Sequence, residues 1–206
     1  MSIQAVKVDG RKALLAKLPG GYVKLVFLDG EIRIARPVPK LAKAAIDTAA
    51  HEAAASTRND LKPPTRAQSS AGNYKKGHIT VGGIDIAIEN PAGSRRRPEW
   101  PVLKAHYGYI KRTMGADEDQ IDVFVRPGTD EDYSGPVYVI DQLNQKDGSF
   151  DEHKTLIGWR SKQSALACYL SAYQPGWKVG PVTKLNWSMF VDWVRNGDGT
   201  EPVKNG

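Results

Sequence analysis

Ile84, Ile86 and Ile88 alternate with Asp85 and Ala87, a period of two that a strand buries on one face and a helix cannot. Short runs of the same kind recur at Tyr107 to Ile110, Ile121 to Val125, Val137 to Ile140 and Lys154 to Trp159, with Asp147-Gly148 as a hairpin turn before the last. Helices come after them. Ser161 can cap one from about Lys162 to Tyr173, stopped by Pro175 and Gly176. Asn186 can cap another whose Met189, Phe190, Trp193 and Val194 share an apolar face, ending near Gly197. Several short strands followed by helices predict a mainly β (α+β) fold, a small closed barrel with flanking helices packed outside.

The first third reads differently. Tyr22 to Leu28 and Glu31 to Arg36 are β-rich runs joined by the turn pair Asp29-Gly30, and Pro37 and Pro39 end the hairpin. Leu41 to Ala55 is alanine-rich and predicts a helix, with Leu41, Ala44, Ala45 and Ala49 as a weak apolar stripe. Ser56 to Gly77 is polar, carries Pro63-Pro64 and Ser69-Ser70, and predicts a flexible linker. The implied organisation is a hairpin-and-helix accessory region at 1–56, a linker at 57–77, a main domain at 78–197 and a tail at 198–206.

Charge separates the same regions. Residues 1–77 hold 14 Lys and Arg against 6 Asp and Glu, a balance of +8, whereas the remaining residues hold 15 against 17. A nucleic-acid or protein partner is therefore to be sought through residues 1–77. No apolar run reaches the roughly 20 residues of a membrane span, and the single Cys168 cannot form an internal disulfide. A cytoplasmic protein without membrane contact is expected. Cys168, between Leu166 and Leu170, reads as a small core residue.

Asp117, Asp119 and Asp122 place three carboxylates within six residues, running straight into the apolar strand Val123-Phe124-Val125. Like charges that close repel unless a cation neutralises them. Hard oxygen donors suit Mg²⁺, with Mn²⁺ as the alternative, and a solvated acidic turn is the competing reading. A calcium loop fits poorly, because Ile121 and Asp122 stand where a ligand and the turn glycine belong. His51-Glu52 begins a zinc-protease pattern that Ala55 leaves without its second histidine.

Tyr107-Gly-Tyr-Ile-Lys-Arg-Thr113 followed by Asp117-x-Asp119-x-x-Asp122-Val resembles, without a gap, the signature of family I soluble inorganic pyrophosphatases. Glu89-Asn-Pro-Ala-Gly-Ser-Arg-Arg-Arg97-Pro-Glu99 upstream, and Asp141 with Asp151-Glu152-His-Lys154 downstream, resemble further segments of that family. The arrangement is also similar to pyrophosphatase-like domains in large phage and plasmid proteins.

The resemblance implies a five-stranded barrel of the oligonucleotide-binding type and Mg²⁺-dependent hydrolysis of pyrophosphate, or of another phosphoanhydride, by a homo-oligomer. By position, Asp117 and Asp122 would hold a first metal with Asp151 or Glu152, Asp119 would be the base that deprotonates the attacking water, and Glu89 and Asp141 would hold substrate-borne metals. Lys154, Arg97 and Tyr107 would contact phosphate oxygens. Strand alternation puts Glu152 with Lys154 and Asp151 on the other face, unless a bulge reverses them. His153 is expected to be structural, since hard Mg²⁺ sites rarely use imidazole. Departures thin the phosphate half: Lys104 would have to replace an arginine, Tyr173 is followed by Gln174 where the family has a lysine, and Glu118 replaces a glycine.

Overall fold

The computed structural model of the chain describes residues 3–8, 11–17, 23–35 and 45–203. Two compact units divide it, Met1–Ala42 and Lys43–Gly206. The sequence suggests a linker at 57–77, and the division between the compact units falls after Ala42.

In the first unit, β1 (Ile3–Val8), β2 (Arg11–Lys17), β3 (Val23–Phe27) and β4 (Ile32–Ala35) form an antiparallel meander in chain order. The expected hairpin is β3–β4, and Gly30 turns it with φ +87°, a left-handed conformation that favours glycine. Pro37, Pro39, Leu41 and Ala44 lie outside the described residues.

The second unit is built on a seven-stranded sheet. Its strands are β5 (Gly77–Val81), β6 (Ile84–Asn90), β7 (His106–Ile110), β8 (Asp122–Val125), β9 (Val137–Leu143), β10 (Phe150–Ile157) and β11 (Val182–Leu185). They are ordered β11-β9-β10-β8-β7-β6-β5. All pairings are antiparallel except β10 with β8. The fold is mainly β with a few helices, as the alternation predicts, but the pairings do not close a five-stranded barrel. The outer sides of β6 and β9, the edges of a five-strand set, are taken by β5 and β11, so the described sheet ends in two edges.

Alternation splits β7, β8, β9 and β10 between two cores. Val123, Val125, Val137, Val139, Ile86 and Ile88 join Ile46, Ala50 and Phe190 on one face, under α1 (Ala45–Ala50) and α4 (Trp187–Asn196). Phe124, Tyr138, Ile140, Leu156 and Tyr107 lie on the other face beneath α3 (Lys162–Leu170), which contributes Ala165 and Tyr169. Each of the Val, Ile, Leu and Phe side chains among them, fully buried, stabilises by about 1.5–3 kcal/mol. The expected caps are in place: Ser161 accepts from Ser164 N and Asn186 from Met189 N. Met189 itself is 48% exposed, so the apolar face of α4 is carried by Phe190, Trp193 and Val194 without it.

Where the composition suggests a flexible linker, the chain is folded. Ser56 and Lys76 are buried, Asn59 Nδ2 donates to the carbonyls of His51 and Ala53, and α2 (Arg66–Ser70) starts with a capping box of Thr65 and Gln68. No helix among the described residues is long and apolar enough to cross a membrane.

Candidate active site

The side of the sheet that carries Phe124 becomes polar at one end. Register places Tyr109, Asp122 and Lys154 side by side across β7, β8 and β10, and Glu152 opposite Gln142 on β9. Alternation keeps Glu152 and Lys154 on that same face. A bulge between Phe150 and Glu152 leaves Asp151 unpaired and exposed, but lies before Glu152 and so does not turn the two over.

Lys154 is the centre of the group. Its side chain is only 1% exposed, and Nζ donates to Asp122 Oδ2 and lies 2.5 Å from Glu152 Oε2. The Tyr107 hydroxyl donates to the same Asp122 oxygen. One ammonium thus neutralises two carboxylates that would otherwise repel. Burial pushes the Glu152 carboxyl up to about 7; Lys154 pulls it back and Asp122 adds to the rise. The Tyr107 phenol is raised well above its usual value by burial and by the Asp122 charge, so it stays a proton donor at neutral pH.

Gln142 orients Glu152. Its Nε2 donates to Glu152 Oε1 at 2.7 Å and to Asp151 Oδ2 at 3.3 Å, while Oε1 accepts from the Tyr169 and Tyr173 hydroxyls at 2.9 and 3.1 Å. Trp177 Nε1 in turn donates to the Tyr169 oxygen at 2.9 Å. Donors on one end and acceptors on the other fix which way the amide points. Gln142 has no counterpart among the residues expected from the sequence. The signal for it is local: it follows Tyr138 and Ile140 at the strand period, a polar group on an apolar face.

Arg96 lies over the Tyr107 ring at 3.9 Å and the Trp100 ring at 5.1 Å. Burial would lower its pKa, but Tyr107, Tyr173, Asp122 and Glu152 together raise it, so its charge faces the carboxylate group. Gly108, between the two tyrosines of β7, permits this packing of strands; a Cβ there would stand 1.9 Å from the Ala87 carbonyl oxygen.

A family model described as inorganic pyrophosphatase matches residues 66–195, more than half of the 206-residue chain. The chain belongs to the inorganic pyrophosphatase family. No curated protein and no solved structure matches it.

In this pyrophosphatase-family chain the remaining expected residues are dispersed. Asp117 and Asp119 sit exposed on a loop closed by Gly115 N to Asp119 O at 2.7 Å, with Asp119 N donating to Asp117 Oδ1 at 3.2 Å. Between them Glu118 holds φ +64°, which costs a non-glycine residue about 1–2 kcal/mol and accounts for a glycine being the easier residue there. Glu89 is engaged by the Tyr74 hydroxyl at 3.1 Å and the buried Lys76 Nζ at 3.2 Å. Arg97 is exposed, 5.2 Å over Trp100, and Lys104 is exposed as well. The Tyr173 hydroxyl is spent on Gln142.

Asp141 is not brought to the group. It shares its face with Val137 and Val139 and is 3% exposed beside His153, whose Nδ1 lies 3.0 Å from Asp141 Oδ1 but off the line a hydrogen bond needs. Among the described residues, no group of three or more His, Cys, Asp or Glu side chains is close enough to hold a metal ion. The donor set still suits a hard cation: Asp122 and Glu152 offer carboxylate oxygens to a single positive centre, a place the Lys154 ammonium fills.

Proposed function

We propose that the chain hydrolyses inorganic pyrophosphate, or a related phosphoanhydride, to phosphate with Mg²⁺ as cofactor. The convergence of Asp122 and Glu152 on Lys154, with the Tyr107 hydroxyl on Asp122, carries this reading. Asp122 and Glu152 would hold the cation, with Asp117 from the loop. Mg²⁺ would supply neutralisation of the phosphate charge and lower the pKa of water.

The side chains divide the remaining work. Lys154, released from one carboxylate, keeps ammonium donors for a phosphate oxygen. Tyr107, held protonated, donates a hydrogen bond to charge that develops on the leaving phosphate. Arg96 is the better placed of the arginine pair to clamp that phosphate, and Arg97 serves at the entrance. Asp119, exposed and close to solvent, takes the proton of the attacking water.

A non-catalytic binding module, with residues 1–77 contacting nucleic acid or a protein, is the competing reading, favoured by the lysine that already neutralises the carboxylate pair. Phosphate release from pyrophosphate with and without Mg²⁺ separates the two. Asp119→Asn is expected to keep Mg²⁺ binding and lose roughly 10²-fold in turnover. Asp122→Asn is expected to weaken Mg²⁺ binding itself in calorimetry. Wild-type behaviour in both variants would leave a solvated acidic turn.

A further inference from the structure

A cavity of about 410 Å³ is lined in part by Tyr107, whose hydroxyl donates to Asp122. Cavities of about 300–1,000 Å³ suit organic ligands of many atoms. Pyrophosphate, two phosphates sharing one oxygen, needs a fraction of that space.

The cavity lining combines two kinds of residue. Arg95, Arg96 and Arg97 supply charge, with Glu89 as the single acid, so the balance is positive. Arg95 Nη1 donates to the Trp100 carbonyl, and Arg96 lies between the Tyr107 and Trp100 rings, so both arginines are held by the fold. Ala55, Pro63, Pro64 and Tyr74 line the same cavity and carry no charge. Tyr74 is fixed at both ends of its side chain: its hydroxyl is on Glu89, and Lys76 Nζ sits 3.3 Å from the ring centroid.

Bare pyrophosphate has only charged oxygens and nothing to set against two prolines and a tyrosine ring. A molecule with a phosphate chain at one end and a flat, weakly polar group at the other matches both kinds of lining residue. Base stacking on an aromatic side chain is worth about 1–3 kcal/mol. We propose that Pro63, Pro64 and Tyr74 seat the base of a nucleoside polyphosphate whose phosphate chain runs along the arginines to Asp122 and Lys154. This deepens the hydrolase reading and rests on it for the reaction. Water's oxygen then bonds to one phosphorus as that same phosphorus loses its bond to the bridging oxygen, which departs with the rest of the phosphate chain, while the proton of the water goes to Asp119. It also gives the segment 63–74 a task that a flexible linker could not perform.

Two measurements on the full chain test this. Hydrolysis compares ATP with inorganic tripolyphosphate, which has the same phosphate chain without the nucleoside. Calorimetry follows binding of AMP. Ser69, an exposed residue of α2 at the cavity that makes no contact used above, is changed to Trp to fill the cavity, and Ser69→Phe is a second, smaller filling of the same place. ATP is expected to exceed tripolyphosphate by about tenfold or more in kcat/KM. AMP is expected to bind the wild type and to lose that binding in both variants, with pyrophosphate hydrolysis retained. Equal kcat/KM for ATP and tripolyphosphate, absence of AMP binding, or AMP binding untouched in both folded variants overturns the proposal. AMP binding that the variants abolish, in a protein that hydrolyses nothing, supports the cavity assignment and sinks the hydrolase reading instead.

Discussion

The two faces of the seven-stranded sheet treat buried charge in opposite ways. On the Phe124 face, a lysine, two carboxylates and a tyrosine meet beside an open cavity. On the Val123 face, two histidine–aspartate pairs have buried rings and are tied to backbone groups: His153 with Asp141, and His106 with Asp47 of α1. His153 lies edge-on to Trp193 at 5.1 Å and its Nε2 meets the Glu201 carbonyl at 3.0 Å, while Val203 N donates to Asp141. Residues 152, 153 and 154 are consecutive, yet alternation sends the middle one to a staple and its neighbours to a site. A charged group next to solvent access can exchange partners; one tied to the backbone at both ends cannot.

Lys154→Met should produce the largest change, because it leaves Asp122 and Glu152 facing each other without a cation. Removing one partner of a buried ion pair costs about 3–5 kcal/mol. The carboxylates are 17% and 21% exposed, which favours the lower end of that range. Urea unfolding of the metal-free variant measures it. Added Mg²⁺ should recover more stability in the variant than in wild type, since a divalent ion then replaces the missing ammonium. A variant as stable as wild type would erase the contrast between the faces, because the Phe124-face pair would then be solvated.

Much of this contrast can be read from local pattern. The strands from Ile84 onward and the Ser161 and Asn186 caps follow from period and capping chemistry, which act over a few residues. Glu152 with Lys154 follows from alternation too. Asp141 is instructive, because its parity with Val137 and Val139 already points it away from Glu152, whereas motif position suggests a ligand. Arg96 against Arg97 is not legible, since a turn has no period to aim its side chains. The folded segment before β5 is disguised by proline and serine, although Thr65 and Gln68 spell a capping box. Its ties to Glu89 run over 13 to 15 residues and depend on the tertiary fold.

Asp141→Asn addresses the sealed face with a smaller effect. The amide keeps the shape but loses the charge beside His153 and weakens the acceptor for Val203 N, a loss of about 1–2 kcal/mol. Turnover of phosphoanhydride should stay within about twofold of wild type, since the side chain lies across the sheet from Lys154. A drop of about a hundredfold in a folded variant would return Asp141 to the set of metal ligands and make the two faces cooperate.

The smallest expected effect is the acid response of His106. Its ring is 1% exposed; Nε2 is 2.9 Å from Asp47 Oδ1, and Nδ1 accepts from Ala92 N at 3.1 Å. Gly128 N donates to both Asp47 oxygens, at 2.9 and 3.1 Å, so the carboxylate is committed before the histidine is counted. Burial lowers the His106 pKa, and Asp47 pulls the other way without overcoming it. Geometry agrees, because a proton added at Nδ1 would face the Ala92 N–H and break the bond that nitrogen now accepts. Below the unfolded value of about 6.5 the unfolded chain takes a proton that the folded chain resists, so this contribution to stability is present above that pH and is lost as pH falls through the window beneath it. Melting between pH 7.5 and 5 should therefore show wild type losing more stability than His106→Asn, which has nothing to titrate there. If wild type instead gains on the variant as pH falls, Asp47 outweighs burial, and the sealed face would hold a charged pair just as the Lys154 face does.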